Sequence, residues 1–332
     1  MIATLAMASF AHASVLAAEV LDALAPQDHG IYVDGTLGGG GHARQLLLRA
    51  PRARLLGIDR DPAALAASQA TLGDLADRVD LIHGEYGDLA QILVERGISR
   101  VDGILLDLGM SSPQLDAAER GFSFTRSGPL DMRMDPTSGR TALDVIRHSS
   151  IDDLADILFT LGEERHARKI ARAIHDALAA GRLATTLDLA GVVARVIPSR
   201  EQRLSKIHPA TRTFQALRIA VNAELEQLER FLADFPDLLA PGGRCAILSF
   251  HSLEDRLVKH RFRDLAWTTS LPAHLAERAG ERVAPVCELV TRKAIVAGDP
   301  EVDANPRARS ARLRACERTP APNLPSGQPP GR

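Results

Sequence analysis

Between Ile31 and Asp107 the chain alternates short apolar runs with stretches in which apolar residues recur at helical spacing. The pattern predicts strands at Gly30–Asp34, Arg54–Ile58, Val79–His83 and Val101–Leu106, with helical segments between them. Such alternation predicts a mostly parallel sheet with helices on both faces. The strands are closed by Asp34, Asp59, His83 and Asp107. Open sheets of this kind bind ligands at these carboxyl ends.

The alternation stops after residue 113. Residues 113–140 are rich in Gly, Pro, Ser and Asp and read as loop. Helical patterns follow over Asp144–Ala180, Leu187–Val196 and Phe214–Phe235. The turn Ala240–Arg244 then leads into a strand at Cys245–Phe250, and a second β stretch is predicted at Glu288–Val296, ahead of a basic segment. Residues 319–332 hold five prolines without apolar periodicity, which predicts a disordered tail. The expected organisation is a discontinuous α/β domain, 1–115 and 215–318, interrupted by a helical domain over 116–214.

The composition is that of an ordinary globular chain: 332 residues, 45% apolar, 25% charged, with a net charge of −2. No global field draws nucleic acid, so any basic surface must be local. One is present. Residues 160–218 carry eleven Lys/Arg against five Asp/Glu, a balance of +6. Arg165, Arg168 or Lys169, and Arg172 share a helical face; Arg195, Arg200, Arg203, Lys206 and Arg212 crowd the next loop. This cluster points to phosphate contacts. Cys245, Cys287 and Cys316 are too scattered for a disulfide framework or a zinc site, and no metal is expected. The Ala-rich start contains Ala11-His12-Ala13, which mimics a signal-peptidase site. No Lys or Arg precedes Arg44 and the apolar run is too short to span a membrane. A frayed start, with translation from Met7 as one option, and a cytoplasmic protein are expected. The pattern leaves the oligomeric state open, a homodimer included.

The chemistry concentrates in Asp34-Gly35-Thr36-Leu37-Gly38-Gly39-Gly40-Gly41-His42, a strand end running through a Gly-rich turn into a helix. Gly38-x-Gly40-x-x-Ala43 satisfies the dinucleotide fingerprint, with Asp59 at the expected distance. The acid ahead of the glycines fits instead an S-adenosylmethionine (AdoMet) site, which holds a charged amino-acid moiety. Both cofactors remain open on this loop alone. Asp59 reads as a ribose ligand or a helix N-cap, although Asp61-Pro62 can also start the helix. Tyr86 is a candidate to pack on adenine. Asp107-Leu108-Gly109-Met110-Ser111-Ser112-Pro113-Gln114 closes the fourth strand. An acid followed by a polar, Pro-containing loop is found here in enzymes that methylate exocyclic base amines. The lone pair of such an amine is delocalised into the ring. Acceptors on its N–H groups favour a pyramidal nitrogen; Asp107, Ser111 and Ser112 are the candidates. His251, in Phe250-His251-Ser252-Leu253-Glu254-Asp255-Arg256, reads as a general base or as a residue that fixes the turn.

Long segments of the chain resemble the bacterial ribosomal small-subunit methyltransferase H family. They include His12–Leu16, Tyr32–His42, Ile58–Asp61, Leu105–Asp116, Arg120–Phe124, Pro129–Met134, Gly162–Arg165, His208–Ala216, Ser249–Arg256 and Asn305–Ser310, in the family's order. The resemblance implies a class I AdoMet-dependent methyltransferase, with a Rossmann-like sheet and an inserted helical substrate domain. It implies methylation of a cytosine N4 amine in the decoding region of 16S ribosomal RNA, with the small ribosomal subunit as partner. It carries cofactor contacts to Gly40, Gly41, His42, Asp59, Tyr86, Asp107 and Gln114. Asp34 joins that set from the loop itself, and Arg165, Arg200, Arg203 and Arg212 are the candidate RNA contacts.

Overall fold

The computed structural model describes residues 14–205, 207–266 and 285–320. The 319–332 tail lies almost wholly outside these residues, as does the Ala11-His12-Ala13 segment. Seven strands form one sheet: β1 Ile31–Asp34, β2 Arg54–Asp59, β3 Val79–His83, β4 Val101–Asp107, β5 Leu239–Ser249, β6 Cys287–Leu289 and β7 Arg312–Arg318. Their order is β3-β2-β1-β4-β5-β7-β6. The first five strands pair in parallel, and β7 runs antiparallel to both β5 and β6. This is the mostly parallel Rossmann-like sheet expected. The order reverses between β1 and β4, which creates the crevice where such sheets bind ligands.

Helices α1 Ala17–Leu24, α2 Gly41–Arg49 and α3 Pro62–Thr71 cover one face; α4 Leu89–Glu95, α12 Glu224–Leu238 and α13 Ser252–Ala266 cover the other. Strand residues alternate between the two cores, as the pleat requires. Tyr32, Leu55, Leu105, Ala246 and Leu248 face the first set; Val33, Leu56, Ile104, Leu106 and Ile247 face the second.

Between β4 and α12 lie α5 Ser112–Asp116, α6 Ala142–His148, α7 Ile151–Gly162, α8 Ala167–Ala179, α9 Thr186–Val196, α10 Ser199–Leu204 and α11 Thr211–Asn222. All but α10 contribute to a third core, from Phe122 through Leu217 with Leu115 and Val221 packed against it. The helical pattern predicted over Asp144–Ala180 is three helices. Thr141/Asp144 and Ser150/Asp153 form capping boxes that start α6 and α7, and Thr185/Asp188 starts α9 the same way. Phe214–Phe235 likewise spans two helices. They break at Ala223, whose φ of 48° cannot continue a right-handed helix. Two further expectations are corrected at the carboxyl-terminal edge. Only Cys287–Leu289 of the β stretch forms a strand, with an isolated bridge at Ile295. The basic segment contains β7, which lies inside the sheet. A last short helix, α14 Asp299–Ala304, precedes it. Among the described residues no helix is long and apolar enough to cross a membrane. All three cysteines are free and buried.

Candidate active site

Asp34 and Asp107 end the two strands that flank the reversal, and α2 begins beside them. Gly40 caps α2 in the left-handed region, with φ 79°. A Cβ there would meet Leu72 at 3.2 Å, so both conformation and space favour glycine. At Gly41 a Cβ would press on the Ser14 hydroxyl. The turn is held from β2: Gly38 N–H donates to Asp59 Oδ2 at 2.8 Å, and Asp61 N–H donates to Asp59 Oδ1 at 2.8 Å. Asp59 is therefore not the helix cap. Asp61 is: it accepts from Ala63 N–H ahead of Pro62.

Four ionisable groups meet at the crevice: Asp34, His42, Asp59 and Asp107. Asp34 is buried; its Oδ1 accepts from Thr36 N–H at 3.2 Å. Burial pushes its carboxyl up to about 7, against the pull of His42 and the Thr36 amide; Asp107 and Asp59 add to the rise. His42 Nε2 lies 3.5 Å from Asp107 Oδ2 and makes no hydrogen bond. Burial pulls the imidazole down, but the carboxylates of Asp107 and then Asp34 win, leaving it raised. Burial also raises Asp59, more than its two backbone donors lower it. Thr36 Oγ1 accepts from Asp107 N–H at 2.6 Å, which fixes the end of β4. Asp107 Oδ1 is buried without a partner. A site with buried carboxylates and an orphaned acceptor suits a cationic ligand with N–H donors. The ammonium of AdoMet fits that description, its sulfonium adds positive charge, and its ribose adds O–H donors.

The remaining predicted residues are placed as follows. Tyr86 donates to the Glu224 carbonyl at 3.3 Å, and its ring meets Phe231 edge-on at 6.0 Å. Ser111 caps α5: Ser111 N–H donates to Gln114 Oε1 at 3.0 Å, and Ser111 Oγ accepts from Gln114 N–H. Ser112 opens α5. Gln114 Nε2 donates to Asp61 Oδ2 at 2.8 Å, so both ends of this amide have protein partners. Arg165, Arg200, Arg203 and Arg212 lie exposed on the helical layer.

Sequence reasoning missed the brackets that join the two parts. Asp61 Oδ2 also accepts from Arg120 Nη1 at 2.9 Å, and Arg120 reaches the carbonyls of Arg133 and Met134. Asn222 accepts from Met134 N–H and donates to the Met132 and Arg218 carbonyls, while Arg60 holds the Asn222 carbonyl. Asp61 could have been found as a cap. Nothing in the sequence signals Asn222. Arg218, counted among the basic cluster, is buried in a bidentate pair with Glu224, both bonds 2.7 Å. His251 Nε2 lies 3.1 Å from Glu254 Oε1, and Glu254 also accepts from Phe250 N–H. Glu254 N–H donates to His251 Nδ1 at 3.4 Å, within the turn, while Nε2 is buried and makes no hydrogen bond. Glu224, His251 and Glu254 bring ligand atoms within 4.8 Å of one another. The Arg218 guanidinium already supplies the cation at Glu224.

Residues 9–319 match the family described as the MraW methylase family. The chain is 50% identical to ribosomal RNA small subunit methyltransferase H of Trichlorobacter lovleyi, over 94% of this chain and 99% of that protein. It is 49% identical to the protein of the same name from Sorangium cellulosum, over 92% and 90%. For that from Syntrophotalea carbinolica the identity is 51%, over 93% and 98%. A solved chain described as a putative rRNA-methylase from Clostridium thermocellum covers 92% of this chain and 97% of its own, at 13% identity and a TM-score of 0.41. That likeness is too distant to carry weight beside the sequence relatives. The nicotinamide reading of the glycine fingerprint falls here: strand order, acid-lined crevice and relatives together place the chain in the MraW methylase family, a family of AdoMet-dependent methyltransferases.

Proposed function

We propose that the protein transfers a methyl group from AdoMet to the N4 amine of a cytosine in the decoding region of 16S ribosomal RNA. The small ribosomal subunit, in the bacterial cytoplasm, is its substrate. The names of its relatives support small-subunit RNA as the target. The observation that carries the amine chemistry is Asp107, whose Oδ1 is buried and unpartnered beside the Gly-rich turn.

AdoMet, when bound, supplies an electrophilic methyl group on a sulfonium. The residues of the chain do the rest. Asp34 faces the cationic amino-acid end, and Asp59, already braced by Gly38 and Asp61, accepts from ribose hydroxyls. Gly40 and Gly41 let the ligand approach the backbone, His42 steadies Asp107, and Tyr86 packs near the adenine. Gln114 acts by positioning, since its amide ties α5 to Asp61. Asp107 accepts an N–H of the target amine, which favours a lone pair directed at the incoming carbon. Ser111, the cap of α5, and Ser112, its first residue, are the further candidate acceptors. The amine proton becomes acidic once the N–C bond forms, so solvent or a carboxylate suffices to take it. Positioning is the main source of rate in such an in-line transfer.

The helical layer, residues 116–214 with the rest of α11, is the RNA-binding part of this reading, with Arg165, Arg200, Arg203 and Arg212 on phosphates. The target base leaves its stack to reach the crevice. The test is methyl transfer from labelled AdoMet to unmethylated small subunits and to naked 16S RNA, followed by mapping of the base. Label on one cytosine N4 is expected. Label on a ribose or another base refutes the reading.

A further inference from the structure

Two cavities open on the helical layer, neither of them at the strand ends. One of about 240 Å³ is lined by Arg165, His166, Glu201, Gln202, His208 and Arg212, among others. The other, about 610 Å³, is lined along α8 by Arg165, Arg168, Lys169 and Arg172. They share Arg165 and His166, so the pocket runs into the trough.

Size and chemistry both restrict what the pocket takes. At about 240 Å³ it falls below the roughly 300–1,000 Å³ of sites that enclose drug-sized ligands, so it suits one flat ring. Its walls mix donors and acceptors. His166 Nε2 lies 2.9 Å from Glu201 Oε2. Gln202 Nε2 gives both its hydrogens to the Ala194 and Ile197 carbonyls, so only its Oε1 is left to face a ligand. A site built for a bare anion would not hold carboxylates such as Glu201; the edge of a nucleobase meets both kinds of group. His208 is exposed and stacks on Phe124, centroids 4.7 Å apart and planes 22° apart. Such rings are the platforms on which unstacked bases settle. At the rim, Arg165 and Arg212 have no ion-pair partner among the described residues, nor do Lys169 and Arg172 in the trough. Arg168 alone pairs, with Asp152.

The pocket wall is tied to the sheet domain through one contact. Glu163, beside its wall residue Glu164, accepts from Ser252 Oγ at 2.8 Å and from Arg256 Nη2 at 2.9 Å. Ser252 opens α13, three residues after the end of β5.

We infer that this pocket is a second nucleotide subsite. It takes one unstacked base that flanks the methylated nucleotide, with the adjoining phosphates on Arg165 and Arg212 and the strand continuing along α8. The inference rests on the RNA-methyltransferase reading above.

The experiment uses the full chain and small subunits rebuilt on 16S RNA with single abasic nucleotides around the methylated position. One abasic position should raise KM about tenfold with kcat unchanged, the scale of one base–ring stack. In His208→Ala, KM should already be raised, and that abasic position should add nothing. AdoMet binding by calorimetry checks that the variant is folded; if it is not, Glu201→Gln decides by the same criterion. The subsite is overturned if the parent protein is indifferent to every flanking base. It is equally overturned if the penalty persists undiminished in the folded variants. No turnover on intact RNA would instead overturn the reading on which the subsite rests.

Discussion

The two halves of this molecule treat their cations differently. On the sheet domain, arginines at the surface largely find acids: Arg44 with Asp74, Arg52 with Asp28, Arg96 with Asp80, Arg230 with Asp88 and Arg244 with Glu317. Arg54 and Arg100 are exposed without an ion-pair partner among the described residues, as are the neighbours Arg292 and Lys293. On the helical layer, Arg165, Lys169, Arg172, Arg200, Arg203 and Arg212 all reach the surface, and none has a carboxylate at ion-pair distance among the described residues. Exposed pairs add little stability, so the contrast is not about holding the fold. One surface neutralises itself, and the other leaves its charge for an anion supplied from outside. The buried charges reverse the pattern. The sheet domain sets Asp34 and Asp107 around His42 and leaves Asp107 Oδ1 without a partner. The helical layer closes its buried Arg218 on Glu224 with two hydrogen bonds.

The sharpest way to break the comparison is at Asp107. Asp107→Ala should lower kcat about a hundredfold or more at saturating AdoMet, because a role in the transition state is not rescued by filling the cofactor site. Full recovery at high AdoMet would reduce Asp107 to a cofactor ligand. Asp59→Ala should weaken AdoMet by about 1.5–3 kcal/mol, the worth of hydrogen bonds to a charged acceptor, with the fold retained. Calorimetry showing unchanged affinity would remove the ribose role.

A smaller effect follows from Asp34, whose carboxyl is pushed up to about 7. A cationic ligand needs it ionised, so AdoMet affinity should be about tenfold weaker at pH 6 than at pH 8, from the change in ionised fraction. Stability runs the opposite way. The unfolded chain loses this proton near the usual carboxylate range and the folded chain holds it to about 7. The contribution of Asp34 therefore declines as pH rises through that window. Asp34→Asn should flatten both profiles; a parent affinity that does not vary with pH would contradict the assignment. Smallest is Gly40→Ala. It places a side chain at φ 79°, where the left-handed region costs about 1–2 kcal/mol, and should lower the unfolding free energy by that much. An unchanged denaturation midpoint would show that the turn adapts without strain.

Much of the sheet was legible because β1 to β4 are apolar runs that end in acids or a histidine, a signal local to each strand. β7 was not. In Arg312-Leu313-Arg314-Ala315-Cys316-Glu317-Arg318 the apolar members are small or few. The charges are met by partners distant in sequence: Arg314 lies 2.7 Å from Asp255, and Glu317 meets Arg244. A strand whose charges are neutralised by tertiary contacts looks like a basic surface in one dimension. The same limit applies at the site. Asp34, the glycines and Asp107 announce themselves by position. Gln114 is a ligand candidate only through the family resemblance, and in the fold its amide bonds Ser111 and Asp61. Asn222, which ties Met132 and Met134 to α11, has no local signature.

The division of labour between the halves is tested most directly by RNA binding as a function of salt, with the Arg165/Arg200/Arg203/Arg212→Gln variant beside the parent. If these four side chains sit on phosphates, the slope of log affinity against log salt should shrink by about 0.7–0.9 for each phosphate no longer neutralised, roughly 3 in all. AdoMet affinity should not change. A salt slope and RNA affinity equal to those of the parent would contradict the account, leaving the free cations of the helical layer as solvated surface.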